Sequence, residues 1–300
     1  MDSKRNVRKS TGKLKRSTIG DWVIVFFMLV LIATCVLPLL TVVAVSFSDS
    51  TYIMRREVTF IPRGFHTDAY RNVLNDDRFM RSLVVTAVVT TVAVVVNLAM
   101  TVLCAYPLTY ESLKGRKLIS VLIIFTMYFG AGLIPTFILF RNLGLLNHPA
   151  VLILPGMISV FFMIIMRNFF VGIPDSLKES AEMDGAGPMR CLLRIYLPLS
   201  KPVLATIGLF YAVGRWNGFM DALFFLPAAR DYHPIQLLLY NILQGIVAVD
   251  AMDPGDVTPP GFGPMVEAAA IVIATVPILC VYPFAQKYFV QGATLGAVKG

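Results

Sequence analysis

The chain has 300 residues, of which 57% are hydrophobic and only 15% charged, and its mean hydropathy is +0.73. Soluble domains carry roughly 25% charged residues, so this composition excludes an ordinary water-soluble domain and places the chain in a bilayer. Despite a net charge of +8 there is no G-x-x-x-x-G-K-[ST] phosphate loop, and the four cysteines and three histidines show no metal-ligand spacing, which argues against an ATP-hydrolysing chain and against a zinc site.

Residues 1–18 carry Lys4, Arg5, Arg8, Lys9, Lys13, Lys15 and Arg16 ahead of an apolar run over 22–47. That run is longer than a signal h-region of about 7–15 residues, so it reads as an uncleaved anchor, and the basic arm reads as a topology signal rather than a nucleic-acid contact. Apolar stretches of about 20 residues recur at 82–106, 118–140, 151–170, 203–226 and 265–285, giving six predicted transmembrane helices. The second is rich in Val and Thr, a strand composition in water. Its length and lack of turn residues predict a helix, because in lipid every backbone group must be bonded internally.

In the third span Gly130, Ala131 and Gly132 remove side-chain bulk, which serves close helix packing or a flexible point, and Pro135 and Pro155 predict kinks. With a cytoplasmic N-terminus, seventeen basic residues fall on inner segments and eight on outer ones, as the positive-inside rule requires. The predicted organisation is a basic arm over 1–21, a six-helix domain over 22–290 and a cytoplasmic tail over 291–300. The domain includes a cytoplasmic loop at 171–202 and an extracytoplasmic loop at 227–264. In the second loop "IQLLLYNILQGI" has helical spacing and "DPGDVTPPGFGP" is built of turn residues. A loop that long is unusual unless it binds something.

The most polar stretch of the second half is "ESAEMDGAGPMRCLLRIYLP", residues 179–198. Ser176-x-x-Glu179 after Pro174 has the capping-box pattern and predicts a helix from about Ser176. Gly185 predicts its left-handed end, and Pro188 the first residue of a second helix. Leu177, Ala181 and Asp184 share one face, and a small Ala181 beside a charged flank suits docking into a partner's groove. The competing readings are a solvated loop helix and a pair of catalytic carboxylates, the latter without a neighbouring nucleophile, metal or apolar cleft.

These residues carry a resemblance. Glu179-Ser180-Ala181, three residues, Gly185, nine residues, Ile195, one residue and Leu197-Pro198 resemble the cytoplasmic E-A-A signature of membrane permease subunits of binding-protein-dependent ABC importers, with Ser180 the one departure. "CAYPL", "IPTFILFRNLGLLNHPAVLILP", "RWNGFMDALFFL" and "QKYFVQGATLGAVKG" extend the likeness over most of the chain, towards the carbohydrate-uptake class and its complex-oligosaccharide permeases.

The resemblance implies an all-α type I importer fold with six transmembrane helices, in a bacterial inner membrane, with both termini cytoplasmic. It implies a second homologous permease subunit, two ATP-binding subunits and an extracytoplasmic solute-binding protein as partners, an oligosaccharide as cargo, and no role for nucleic acid. No cofactor is expected on this chain, ATP and Mg belonging to the partner ATPases, and no enzymatic activity of its own. It places Glu179, Ser180, Ala181, Glu182, Asp184 and Gly185 on or beside the helix that couples to the ATPase, with Ile195, Leu197 and Pro198 supporting the next segment. It assigns the 227–264 loop to the binding protein and the tail from Gly292 to the ATPase interface.

Arg215 lies within the fifth predicted span. A central arginine costs roughly 2.5–3.5 kcal/mol on insertion scales, so it must face a water-filled translocation path or pair with another helix. Trp216 and Asn217 follow it with an aromatic face and an amide, which makes Arg215, Trp216 and Asn217 the candidate pathway residues. A fixed cation there favours an anionic sugar such as a uronate or alginate oligosaccharide. The rival classes are a permease for a non-sugar solute, a membrane enzyme and an ion-coupled carrier. A carrier would hold acids inside the membrane, whereas Glu267 lies only at the outer edge of span six.

Overall fold

The computed structural model describes residues 19–244 and 262–297, and these contain helices and turns with no strand. The helices are α1 (Ile19–Ser46), α2 (Ser50–Met54), α3 (Asp68–Asn75), α4 (Asp77–Ala105), α5 (Arg116–Tyr128), α6 (Leu133–Asn142), α7 (Val160–Val171), α8 (Asp175–Met183), α9 (Pro188–Cys191), α10 (Leu197–Leu199), α11 (Lys201–Trp216), α12 (Met220–Phe225), α13 (Ile235–Leu243) and α14 (Phe262–Ala297). Three helices are long and apolar enough to cross a membrane alone, and three bent helix pairs raise the number of spans to as many as six. The basic arm and the turn-rich half of the loop before α14 lie outside the described residues.

The second predicted span forms the centre of the bundle as α4. Asp76 begins it, accepting from the backbone N–H groups of Arg78 at 2.8 Å and Phe79 at 3.3 Å. Its buried face is Ser82, Thr86, Thr90, Ala93, Asn97 and Thr101, spaced by three or four residues, while Val84, Val88, Val92 and Val95 face outward. This is amphipathicity turned inside out. Lipid solvates valine as well as a protein core does, so the buried positions go to small and polar residues that permit close approach. At Gly208 of α11 a Cβ would sit 3.2 Å from Leu98, which marks how near α11 comes to α4.

The third predicted span is not continuous. α5 and α6 meet at 112°, and the break falls at Phe129–Gly132 rather than at Pro135. Gly132 has φ +86°, a left-handed value that glycine adopts without penalty. Pro135 sits in the first turn of α6, where its missing N–H has no partner to lose. The fourth span also breaks, at 49°, where two short turns over Pro149–Leu152 and Leu154–Gly156 precede α7. Pro155 lies within the second of these turns, and the bend itself follows at residues 157–159.

The fifth span differs most from its predicted bounds. Its helix α11 ends at Trp216 instead of running to 226, and α12 follows after the break at Asn217–Phe219. Before it, the segment Pro188–Leu199 meets α11 at 82°. That segment widens over Leu192–Tyr196, where the Leu197 N–H reaches back five residues to the Leu192 carbonyl. A proline ring collides with the carbonyl four residues earlier, so a widened turn just before Pro198 accommodates it.

Three apolar cores hold these pieces. At the α8 end, Tyr106, Phe170 and Tyr196 meet edge to face among Met163, Met166 and Leu192. At the opposite end, α3, α13 and the start of α14 bury Val73, Ile235, Val266 and Ala269. Between them, Phe140, Leu152, Phe225 and Leu226 pack α6 and α12 against the broken fourth span. By contrast α1 buries no residue of its membrane-length stretch; it lies beside α14 and is fixed near Ser46, whose hydroxyl bonds to Tyr70 at 2.7 Å.

Candidate functional site

Two regions gather the residues singled out in the sequence: the projecting helix α8, and a cavity beside Arg215. α8 starts at Asp175, and Pro174 before it provides no side-chain cap. The capping box expected from Ser176 and Glu179 is therefore absent. Asp175 now occupies the first turn, where its charge suits the helix dipole, and Pro174 sets the entry.

The end of α8 is built as expected. Gly185 has φ +77°. Its N–H bonds to the Glu182 carbonyl at 3.0 Å, and the Ala186 N–H to the Ala181 carbonyl at 2.9 Å. This pair is the Schellman arrangement, which turns the chain sharply without leaving helix carbonyls unpaired. Pro188 then opens α9.

Two contacts tie this turn to the end of α4. The Tyr106 hydroxyl, paired with the Tyr110 hydroxyl at 2.6 Å, also donates to the Pro188 carbonyl at 3.0 Å. Lys178 Nζ lies 4.0 Å from the centre of the Tyr110 ring, a cation–π contact. The inner face of α8 is thus Lys178 and Ala181, both half-buried against their own chain. Glu179, Ser180, Glu182, Asp184 and Gly185 are exposed, and so are Leu177 at 44% and Met183 at 89%. Met183 thus places an exposed apolar side chain at the tip of an otherwise polar helix. Further along, Ile195 and Leu197 pack on the adjoining core while Pro198 is exposed.

Arg215 occupies the last turn of α11, not its middle, because α11 ends one residue later. Its side chain is 14% exposed. Nη1 donates to the Leu152 carbonyl at 2.9 Å and Nη2 to the Ile153 carbonyl at 3.3 Å. Nη1 also lies 3.9 Å from Asp221 Oδ2. A break in a membrane helix frees backbone carbonyls that lipid cannot satisfy, and the guanidinium supplies the missing donors. Gly156 lies directly beneath it, so a side chain there would meet the guanidinium and push Arg215 aside.

Trp216 and Asn217 do not join Arg215. Trp216 is buried against α14, its indole N–H donating to the Ala274 carbonyl at 3.1 Å. Asn217 is exposed and bonds back to the Val213 carbonyl at 2.9 Å. The rings near Arg215 are instead Phe162, Phe210 and Tyr211, with Phe162 stacked on Phe210 and edge to face with Tyr211. They line a cavity of about 430 Å³ with Thr86, Arg215 and Asp221. Its volume and mixture of aromatic walls with a few polar groups are those of a small-ligand site. The Tyr211 hydroxyl is held by Thr101 at 2.8 Å and by the Ser159 N–H at 3.1 Å. No set of three His, Cys, Asp or Glu residues among the described residues is arranged to hold a metal ion.

Comparison with known proteins covers nearly the whole chain. Residues 11–294 match the family model described as "Binding-protein-dependent transport system inner membrane component". The polygalacturonan/rhamnogalacturonan transport system permease protein YtcP of Bacillus subtilis is 41% identical over 95% of this chain and 100% of its own. Protein LplC of the same organism is 42% identical over 89% and 90%. A solved bacterial ABC transporter involved in the import of the acidic polysaccharide alginate contains a chain that matches with a TM-score of 0.84 and 32% identity, over 92% of this chain and 99% of its own.

Proposed function

Since the chain belongs to the family of inner-membrane components of binding-protein-dependent transport systems, we propose that it is the pathway-forming subunit of an ATP-driven importer for acidic, uronate-type oligosaccharides. The cargo class rests on the relatives: one is named for polygalacturonan and rhamnogalacturonan, and a solved neighbour imports alginate. Both are acidic polysaccharides. The partners are a second homologous permease, two ATPase subunits that bind ATP and Mg, and an extracytoplasmic binding protein. The α8 end of the bundle faces the cytoplasm and the α3–α13 end faces outward, with both termini inside, as the distribution of Lys and Arg supports.

The observation that carries the coupling role is the build of α8. A helix fixed to the body through Lys178, Ala181 and the Tyr106–Pro188 bond leaves Glu179, Ser180, Met183 and Asp184 free on its outer side. A rigid root with an exposed apolar tip and a polar rim suits seating in a groove on a motor protein. Closure of the ATPase pair then pushes α8, and the rigid connection passes that motion to α4 and α11. Import is a shift between two states of the bundle, biased by ATP on one side and the loaded binding protein on the other.

Co-purification tests the reading directly. The chain is expected to bring down an ATPase pair, and proteoliposomes holding the complex are expected to take up trigalacturonate only with ATP and binding protein. Isolation of the chain without an ATPase, together with uptake driven by an ion gradient, would support a secondary carrier instead.

A further inference from the structure

A second concavity lies on the side of α12 away from the Arg215 cavity. It is a cleft of about 560 Å³ between the first turns of α4, the turn at Arg230–Tyr232 and α13, and three of its lining residues are Arg78, Arg81 and Arg230. Asp231 is the one carboxylate in its lining, and it pairs with Arg81. Asp76 lies beside the cleft and holds Arg78 at 3.3 Å. Arg230 is exposed and has no carboxylate partner among the described residues. Three guanidiniums therefore line one hollow beside the N-terminal end of α4, Arg78 held by Asp76, Arg81 by Asp231, and Arg230 exposed to solvent.

The cleft and the cavity are neighbours. Ser82 lines the cleft and Thr86, one turn further along the buried face of α4, lines the cavity. Ala222 of α12 borders both.

We propose that the Arg78–Arg81–Arg230 cleft is an anion-selecting entry station, which holds the carboxylates of a uronate oligosaccharide before the sugar passes α12 into the Arg215 cavity. This rests on the importer reading above and deepens it. Arginine presents a planar fork that matches a carboxylate with two parallel bonds, and it keeps its charge at any physiological pH. The concave shape favours a small ligand over a protein surface. Cavities of several hundred Å³ bury small molecules, whereas a docking protein needs a broad interface of roughly 800 Å² per partner. Arg215 is a poor rival for the selecting role, because its side chain is only 14% exposed, against 50% for Arg78 and 58% for Arg81.

The test is saturation-transfer NMR on the full membrane complex in nanodiscs without binding protein, using trigalacturonate and its fully methyl-esterified form. Wild type is expected to bind the acid and to bind the ester much more weakly. Arg78→Gln with Arg230→Gln should weaken binding of the acid by at least about tenfold, because a charge-assisted bond is worth roughly one to two decades in affinity. Arg230→Glu, at an exposed turn position, should do the same if the double variant does not assemble. Equal binding of acid and ester to wild type would overturn the proposal, and so would acid binding unchanged by Arg230→Glu. An effect of these variants seen only as a shift in the binding-protein concentration needed to stimulate ATP hydrolysis would show a docking surface and overturn it too. Acid binding at this cleft without ATP-driven uptake would count against the importer reading and leave the cleft assignment standing. ATP-driven uptake without arginine-dependent binding would do the reverse.

Discussion

Arg215 shows how the role of a single residue depends on distant partners. On insertion scales a central arginine reads as a costly exception, but here it closes the last turn of α11, where a cation suits the dipole, and bonds to carbonyls about sixty positions earlier. No local pattern announces that pairing. Arg215→Gln should leave the Leu152 and Ile153 carbonyls short of donors and Asp221 without its partner, at about 1.5–3 kcal/mol for lost charge-assisted bonds. The expected outcome is a lower melting temperature of the purified complex and reduced uptake of acidic and neutral saccharides alike. A selective loss of acidic substrate at full stability would instead make Arg215 the selecting cation. Gly185 is the opposite case, because its role was written within five residues of sequence. Its hypothetical Cβ meets nothing within 4 Å, so Gly185→Ala should cost only the left-handed backbone penalty of about 1–2 kcal/mol. Limited proteolysis at the α8–α9 turn would measure that as faster cleavage without loss of the folded bundle.

Among the helices, α8 carries the most specific expectation. Its ion pair, the half-buried Lys178 with the exposed Glu182 at 3.9 Å, contributes little at that separation, so α8 depends on its C-terminal cap and its contacts with the end of α4. Glu179→Lys and Met183→Asp alter only the outer side and should change stability by less than about 0.5 kcal/mol. Both are expected to abolish ATP-driven uptake while the protein still reaches the membrane at normal levels, which quantitative immunoblotting alongside transport assays would check. Normal uptake in either variant would remove α8 from the coupling role. The α4 helix was legible as a span from its length, but its orientation was not. Hydropathy averages over valines that face lipid and threonines that face the core, and the two sets separate only once α7, α11 and α13 are packed around it. The bends were half legible. Glycines near 130 marked one break and Pro155 lies two residues before another, yet neither Pro135 nor Pro155 is itself the bend, because each sits in the first turn of its own helical segment. The capping box before α8 shows the limit of short motifs, since Pro174 already sets the entry and leaves Ser176 and Glu179 exposed.

Across the molecule, three apolar cores are joined by broken helices, and two of the breaks, before α7 and after α11, border the cavity. Irregular backbone survives at membrane depth only where it lines a cavity or is buried in protein. Arg215, Gly156 and Asp221 show that condition being met. In the proposed account, one end of this arrangement is the α8 surface that meets the motor and the other is the arginine-lined cleft that receives an acidic sugar. The spans, the family and the projecting helix α8 with its Gly185 end could be read from sequence because each is encoded over runs of about twenty residues. The cavity could not, because Thr86, Phe162, Tyr211 and Asp221 come from four separate helices. The most direct test of the account is ATP hydrolysis by the reconstituted complex, measured with empty binding protein and with binding protein loaded with trigalacturonate. The account predicts stimulation by the loaded form and its loss in the Glu179→Lys complex with all subunits still assembled; hydrolysis indifferent to the loaded protein, or full stimulation in the variant, would contradict it.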